Sequence, residues 1–416
     1  MSVSDSVMII GAGPYGLSIA AHLRARGVSF RIFGRLMHNW RAKMPQGMHL
    51  KSDGFASNLS DPGDAFTLER FSQQQGFDYA PEGIPVPIAN FIAYGDAFQR
   101  RFVPELEERL VVALDRDADG GFAAQLDNGE IATARKVVLA IGISDFRYIP
   151  PHLAGAPTEF VSHPADHADM AAFRGRSLAI VGAGSSAIDL AALAQEAGAD
   201  VTLVMRRPDL RFHSRATLDR PLAERIRAPN TGIGPGWRSV FYTQTPPLFR
   251  RLLPSDMRHR IVNSSHGPAG GWYMRERIVG KVPVVAGSTP QGVEIRDGRV
   301  DLKLGGPEGL RTLTADHVIV ATGYRVDLRK VGFLADTLRR DIVAIDNKPE
   351  LSPHFETSVP GLYVVGPAAS HSFGPMFRFV FGAPYTAPRI AKHLAASVAR
   401  RAAVQRPPMV AEPARG

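Results

Sequence analysis

The apolar and polar positions of the chain fall into repeated strand-turn-helix units. Val7-Met-Ile-Ile is a short, wholly apolar run, read as a buried strand. It leads into Gly11-Ala-Gly13-Pro-Tyr-Gly16, after which apolar positions at helical spacing predict a helix over residues 17–25. The same order returns at Ser177-Leu-Ala-Ile-Val, Gly182-Ala-Gly184-Ser185-Ser186-Ala187 and a predicted helix over 188–197. Another strand follows each helix, at 29–33 in the first unit and 200–205 in the second. Apolar runs closed by glycine recur at 136–142, 316–324 and 361–366, and each is read as a strand. Helices are predicted over 66–75, 91–101 and near 387–399. Strands at 110–114, 122–126 and 130–132 surround the turn Asp127-Asn-Gly129, and strands at 292–296 and 299–304 flank the turn Asp297-Gly298.

The glycine spacing carries chemistry. Gly11 permits a tight turn, Gly13 lets the backbone approach a pyrophosphate, and Gly16 lets helix and strand pack closely, while the helix start offers free N–H groups to phosphate. In the second unit Gly182, Gly184, Ser185 and Ser186 take the equivalent places, with Ala187 for the third glycine. Two such turns in matching contexts imply two dinucleotide sites. After the first unit's second strand, where an acidic ribose ligand is common, Gly34 stands instead. The corresponding place in the second unit is Met205-Arg206-Arg207, two cations suited to a 2′-phosphate, so NADPH is expected ahead of NADH.

A chain of 416 residues with 44% hydrophobic content has room for two or three domains. No run approaches the roughly 18 apolar residues of a membrane span, and Met1-Ser-Val-Ser-Asp5 lacks the basic start of a secretory signal. A cytoplasmic protein with no membrane partner is expected. Cysteine is absent, which excludes thiol–disulfide exchange, iron–sulfur clusters and Cys-zinc sites within these residues. The net charge of +9 is unevenly placed: residues 206–281 hold fifteen Lys/Arg against five Asp/Glu, a local balance of +10. With no nucleic-acid motif beside it, that excess points to cofactor phosphates or an anionic substrate and not to nucleic acid.

Residues 209–282 interrupt the second unit with Pro, Gly and aromatic residues, as an inserted cap over an active site would. Residues 40–52, containing Trp40, Met48 and Lys51, are too irregular for helix or strand and read as a binding loop. His163 and His167 invite a metal reading, but Pro164 between them argues against a preformed pair, and no metal is expected. Residues 401–416, rich in Pro and Arg, read as a disordered tail.

The order of these motifs resembles that of the two-dinucleotide-domain flavoproteins, and within them the class B flavin monooxygenases, over about residues 5–400. Asp316 with Ala321-Thr322-Gly323-Tyr324 is similar to an element of the lysine and ornithine N-hydroxylases, with Val320 where Leu or Phe is usual. Met48-His-Leu-Lys51 and Leu59-Ser-Asp-Pro62 resemble their loop facing flavin and substrate. Phe160-Val-Ser-His163 keeps only a Phe and a His of the linker motif of Baeyer–Villiger and related monooxygenases, and Gly366-Pro367 replaces the Gly-Asp of flavin reductases. The N-terminal half is also similar to bacterial FAD-dependent urate hydroxylases.

The resemblance implies an α/β fold of two Rossmann-like domains, with an NAD(P)H domain inserted into a discontinuous FAD domain. Its boundaries would be 1–160 and 315–400 for FAD, and 161–314 for NAD(P)H. It implies a monooxygenase using FAD, NAD(P)H and O2 to hydroxylate a small, anionic substrate through a flavin C4a-hydroperoxide, with urate the candidate. Lys51 would be the catalytic residue. Trp40, Met48, Thr322, Gly323 and Gly366 would join the two glycine turns in holding the cofactors. The alternatives are N-hydroxylation of an amine or amino acid, an electron-transfer reductase serving a protein partner, and a flavin-binding sensor.

Overall fold

The computed structural model of the chain describes residues 7–215, 220–265, 269–307 and 309–404. Two five-stranded parallel sheets organise it. In the first, Val7–Ile10 lies between Phe30–Phe33 and Lys136–Leu139, with Leu362–Val364 and Leu106–Glu107 at the edges. In the second, Ser177–Val181 lies between Asp200–Val204 and His317–Val320, with Val284–Val285 and Val161–Ser162 outside. Each fingerprint strand is central and covered on both faces, so its sequence is continuously apolar and does not alternate. All the neighbours are parallel, which brings the C-terminal ends of the strands, and the glycine turns, to one edge of each sheet.

The helices Pro14–Arg24 and Ser185–Glu196 follow the two turns. Pro14 opens the first, at a position whose N–H has no helical acceptor to lose. The chain's two ends share one core: Ile9 and Leu17 belong to the same buried cluster as Tyr363, Val364 and Ile390. The last strand therefore completes the sheet that the first began. Three antiparallel strands, Val111–Arg116, Phe122–Leu126 and Ile131–Ala134, form an excursion from the first sheet, and Thr289–Arg296, Arg299–Gly306 and Gly309–Ala315 form one from the second.

Several elements differ from the expectation. His317–Val320 pairs with Ser177–Val181, which carries the second sheet past the expected return to the first at 315. The 40–52 segment is not wholly irregular. A five-residue helix, His38–Ala42, starts from Met37 in the left-handed region (φ 49°), because Trp40 finds the Phe91 ring to pack on at 4.7 Å. In the insert, two helices, Pro246–Leu252 and Ser255–Ser264, follow each other closely. Pro254, with no N–H to continue the first, begins the second. The final helix runs Ala383–Val404 and takes in the first residues of the expected tail; 405–416 lie outside the described residues, as do 216–219 and 266–268 of the insert. No helix among the described residues is long and apolar enough to cross a membrane.

Candidate functional site

The glycines of the two turns divide by what surrounds them. A Cβ on Gly11 would stand 2.3 Å from the Ala140 carbonyl oxygen, and one on Gly16 1.9 Å from that of Gly11, so the protein's own packing requires both glycines. A Cβ on Gly13 would meet nothing within 4 Å. The protein's own packing therefore does not require a glycine there. The second turn repeats the division: a Cβ on Gly182 would stand 2.6 Å from the Ala321 carbonyl oxygen, while one on Gly184 meets nothing within 4 Å. Each helix thus begins at an extended glycine open on one side, Gly13 or Gly184, with no side chain capping the helix start.

The equivalence extends further than the glycine motifs. Ala140-Ile-Gly142 and Ala321-Thr322-Gly323 follow corresponding strands and back onto Gly11 and Gly182 in the same manner, both ending in a left-handed glycine (φ 72° and 83°). Thr322 donates its hydroxyl to the Tyr148 carbonyl, and the Gly323 carbonyl accepts from the Tyr148 N–H at 3.0 Å and faces His163 Nε2 at 3.0 Å. His163 is therefore committed to this joint, and His167 to the Ser162 hydroxyl at 2.6 Å. Asp316 sits at the opposite end of its strand, accepting from the Ser177 N–H at 2.7 Å and hydroxyl at 2.9 Å. Its part in the motif is to register two strands.

Gly34 also has a structural cause. It adopts φ 137°, and a Cβ there would stand 3.0 Å from the Ala12 amide nitrogen in the first turn. An acidic side chain has no space at this position, so a ribose contact must come from elsewhere.

Lys51 leaves its loop and crosses to the second nucleotide helix. Its ammonium donates to Asp189 Oδ1 at 2.7 Å and to the Tyr273 hydroxyl at 2.7 Å, with the two charged side chains 10% and 4% exposed. Burial pushes the Asp189 carboxyl up and the Lys51 ammonium down, and each is the main group opposing the other's shift. The loop is bound at several points: Gln46 N–H donates to the Ala168 carbonyl at 2.7 Å, and Met48 donates its N–H to the Pro45 carbonyl and accepts from the Ile88 N–H. Gly47 lacks a side chain where the Leu193 methyl would stand 3.1 Å away.

Arg206 and Arg207 lie exposed beyond Asp200–Val204, with no ion pair among the described residues. Beside them is a cavity of about 350 Å³ lined by Met205, Leu210, Phe212, Arg275 and Ala286. Asp209 lines it as well, so a carboxylate and a guanidinium share a wall that is more polar than apolar. Gly366 (φ 71°) begins the loop after the last strand, and a Cβ there would stand 3.4 Å from the Tyr15 ring of the first turn. The structure therefore gathers Gly11, Gly13, Gly16 and Gly366 at one edge, and joins Lys51 to the helix of Gly184, Ser185 and Ser186. Trp40 is held against Phe91.

Residues 5–230 match the family described as pyridine nucleotide-disulphide oxidoreductase. The chain belongs to that family. Its cofactors are FAD and NAD(P)H. The absence of cysteine separates this member from the disulfide chemistry in the family's name. Among curated proteins the chain is similar to a ferredoxin–NADP reductase of Thermus thermophilus, 31% identical over 214 residues, half of this chain and 55% of that one. It is also similar to an indole-3-pyruvate monooxygenase of Oryza sativa subsp. japonica, 28% identical over 48% of this chain and 47% of that one. The chain thus spans about half the length of these relatives. Over 95% of its length it shares the fold of the reduced ornithine hydroxylase of Pseudomonas aeruginosa, covering 99% of that chain with a TM-score of 0.72 at 16% identity.

Sequence reasoning missed Asp189, Tyr273 and Arg275. A signal for Asp189 existed: in Ser185-Ser-Ala-Ile-Asp-Leu-Ala-Ala-Leu it is the one charge among apolar positions, and a buried charge needs a partner.

Proposed function

We propose that the chain is an NADPH-dependent flavoprotein monooxygenase acting on a small anionic substrate, with urate the candidate. The observation that carries the reading is the pair of open glycine turns in a chain without a thiol. Electrons entering at the second nucleotide site must leave through the first to something other than a disulfide. Bound FAD supplies the acceptor for a hydride and the means of activating oxygen. The chain's own residues bind, orient and exclude water. Gly11, Gly13 and Gly16 would hold the FAD pyrophosphate, with Met48, Gly366 and Trp40 supporting that side. Gly182, Gly184, Ser185 and Ser186 would hold that of NADPH, with Thr322 and Gly323 fixing the adjacent strand end. Lys51 would close the buried joint between the two sides through Asp189 and Tyr273, keeping water from the space where the cofactors meet.

The excess of arginine in the insert favours an anion over the cationic amine of an N-hydroxylase. A second reading has support of its own: the similarity to a ferredoxin–NADP reductase favours electron delivery to a protein partner. Following NADPH oxidation on an oxygen electrode, with and without urate and with a ferredoxin or dye acceptor, separates them. The monooxygenase reading expects oxygen uptake stimulated by substrate, with little peroxide. Fast acceptor reduction with no substrate effect on oxygen would favour the reductase.

The donor preference is tested separately. Arg206 and Arg207 are exposed and without an ion pair among the described residues, and a charge-assisted contact to a 2′-phosphate contributes about 1.5–3 kcal/mol, roughly ten- to hundredfold. Changing both to alanine is expected to lower kcat/KM for NADPH by that factor while leaving NADH unaffected. An unchanged NADPH/NADH ratio would remove them as the discriminator.

A further inference from the structure

At the seam between the first sheet and the insert, a partly buried cation stands without an ion pair among the described residues. Lys51 is bound to Asp189, and Arg258 pairs with Glu350 at 2.8 Å while also reaching the Ser372 carbonyl at 3.2 Å. Arg378 is half-buried, donates to the Ser265 carbonyl of the insert, and has no carboxylate partner among the described residues. Burial works against its charge, and among the described residues the Ser265 carbonyl meets it but no opposite charge does. The neighbouring His371 is held neutral, its pKa lowered to about 3 by burial and then by His259 and the surrounding cations, so it supplies no charge of its own.

The backbone at Arg378 is fixed with unusual closeness to the first glycine turn. Tyr15, inside Gly13-Pro-Tyr-Gly16, places its hydroxyl 3.0 Å from the Phe377 carbonyl oxygen and 2.8 Å from that of Phe379, on either side of Arg378. The same hydroxyl fills the space where a Cβ of Gly382 would stand, 2.1 Å away. The loop follows Leu362–Val364, so it lies at the strand edge that carries the cofactor turn. Beside it, Phe381 faces Phe55 edge to face at 6.3 Å, and Gly232 of the insert lacks a side chain where the Phe381 ring would be 2.5 Å from it. Arg378 thus offers a half-buried guanidinium with no carboxylate partner among the described residues, on a loop at the edge of the cofactor turn and against the insert, and a planar guanidinium suits a flat organic anion.

We propose that Arg378 is the anion-recognition residue of the substrate site and that the substrate class is a planar organic monoanion, an aromatic carboxylate or a heterocycle ionised as urate is. This rests on the monooxygenase reading for the word substrate, but the binding itself is independent of turnover. The test uses the FAD-loaded full chain, with urate and benzoate as anionic probes and benzamide as the neutral counterpart of benzoate. Binding is read from the flavin difference spectrum and from the shift in melting temperature.

At least one anion is expected to bind the wild type more tightly than benzamide does, and to bind Arg378→Met roughly ten- to hundredfold more weakly. Arg378→Lys should keep part of the affinity. Without ligand, Arg378→Met should melt at or above the wild type, because it removes an uncompensated buried charge; a structural role would lower it. Failure of both anions to bind, equal affinity in wild type and Arg378→Met, or a lower melting temperature of the unliganded variant would each overturn the assignment. Arg378-dependent anion binding in a protein that incorporates no oxygen would uphold it and reject the monooxygenase reading instead.

Discussion

Lys51→Met is expected to destabilise the protein by about 3–5 kcal/mol, because it leaves the Asp189 carboxylate buried without its cation. The Lys51–Asp189 contact is 2.7 Å long and Asp189 is 4% exposed, so water is not at hand to replace the ammonium. Adding Asp189→Asn should restore most of the loss, since the second change removes the stranded charge and not a second independent interaction. Urea midpoints of the two single variants and the double variant measure this directly. The same joint is the proposed barrier to water, so peroxide released per NADPH should rise in Lys51→Met and stay high in the double variant although stability returns. A Lys51→Met protein within about 0.5 kcal/mol of wild type would show that the pair is offset by its own desolvation. Unchanged peroxide would return the loop to a purely structural role.

Gly13→Val is expected to leave a folded, colourless protein, with FAD affinity lowered at least about 100-fold. The side chain enters a direction in which no protein atom lies within 4 Å, so the fold itself meets no clash; only the ligand's space is taken. Gly16→Val makes the contrast, because its Cβ would stand 1.9 Å from the Gly11 carbonyl oxygen and must disturb strand and helix. Circular dichroism and flavin absorbance per chain distinguish the two: Gly13→Val keeps the first and loses the second, and Gly16→Val loses both. Full flavin occupancy in Gly13→Val would remove the turn from the account.

The contrast between these two glycines shows which part of the molecule the sequence makes readable. Apolar runs, helical spacing and glycine turns are local patterns, and both parallel sheets, both nucleotide helices and the return of the last strand follow from them. Side-chain partnerships across long separations do not. Lys51 meets Asp189 over 138 positions and Tyr273 over 222, and no local periodicity selects one cation for one carboxylate. Tyr15 illustrates the same limit: within its motif it reads as an ordinary helix residue, and its work of fixing the Phe377–Phe379 backbone appears only when the chain's two ends meet. Gly34 is the opposite case, a residue whose sequence context suggests a missing ligand and whose geometry supplies a steric reason. Within the insert the helix boundaries turn on single residues, such as Pro254 at the start of Ser255–Ser264.

The most direct test of the central claim is turnover with NADPH under isotopically labelled oxygen gas, followed by mass spectrometry of a substrate panel that includes urate. The account predicts one labelled oxygen atom in a product, the other in water, and close to one NADPH consumed per product formed. Label found only in peroxide, or rapid reduction of a ferredoxin with no labelled product from any substrate, would contradict it.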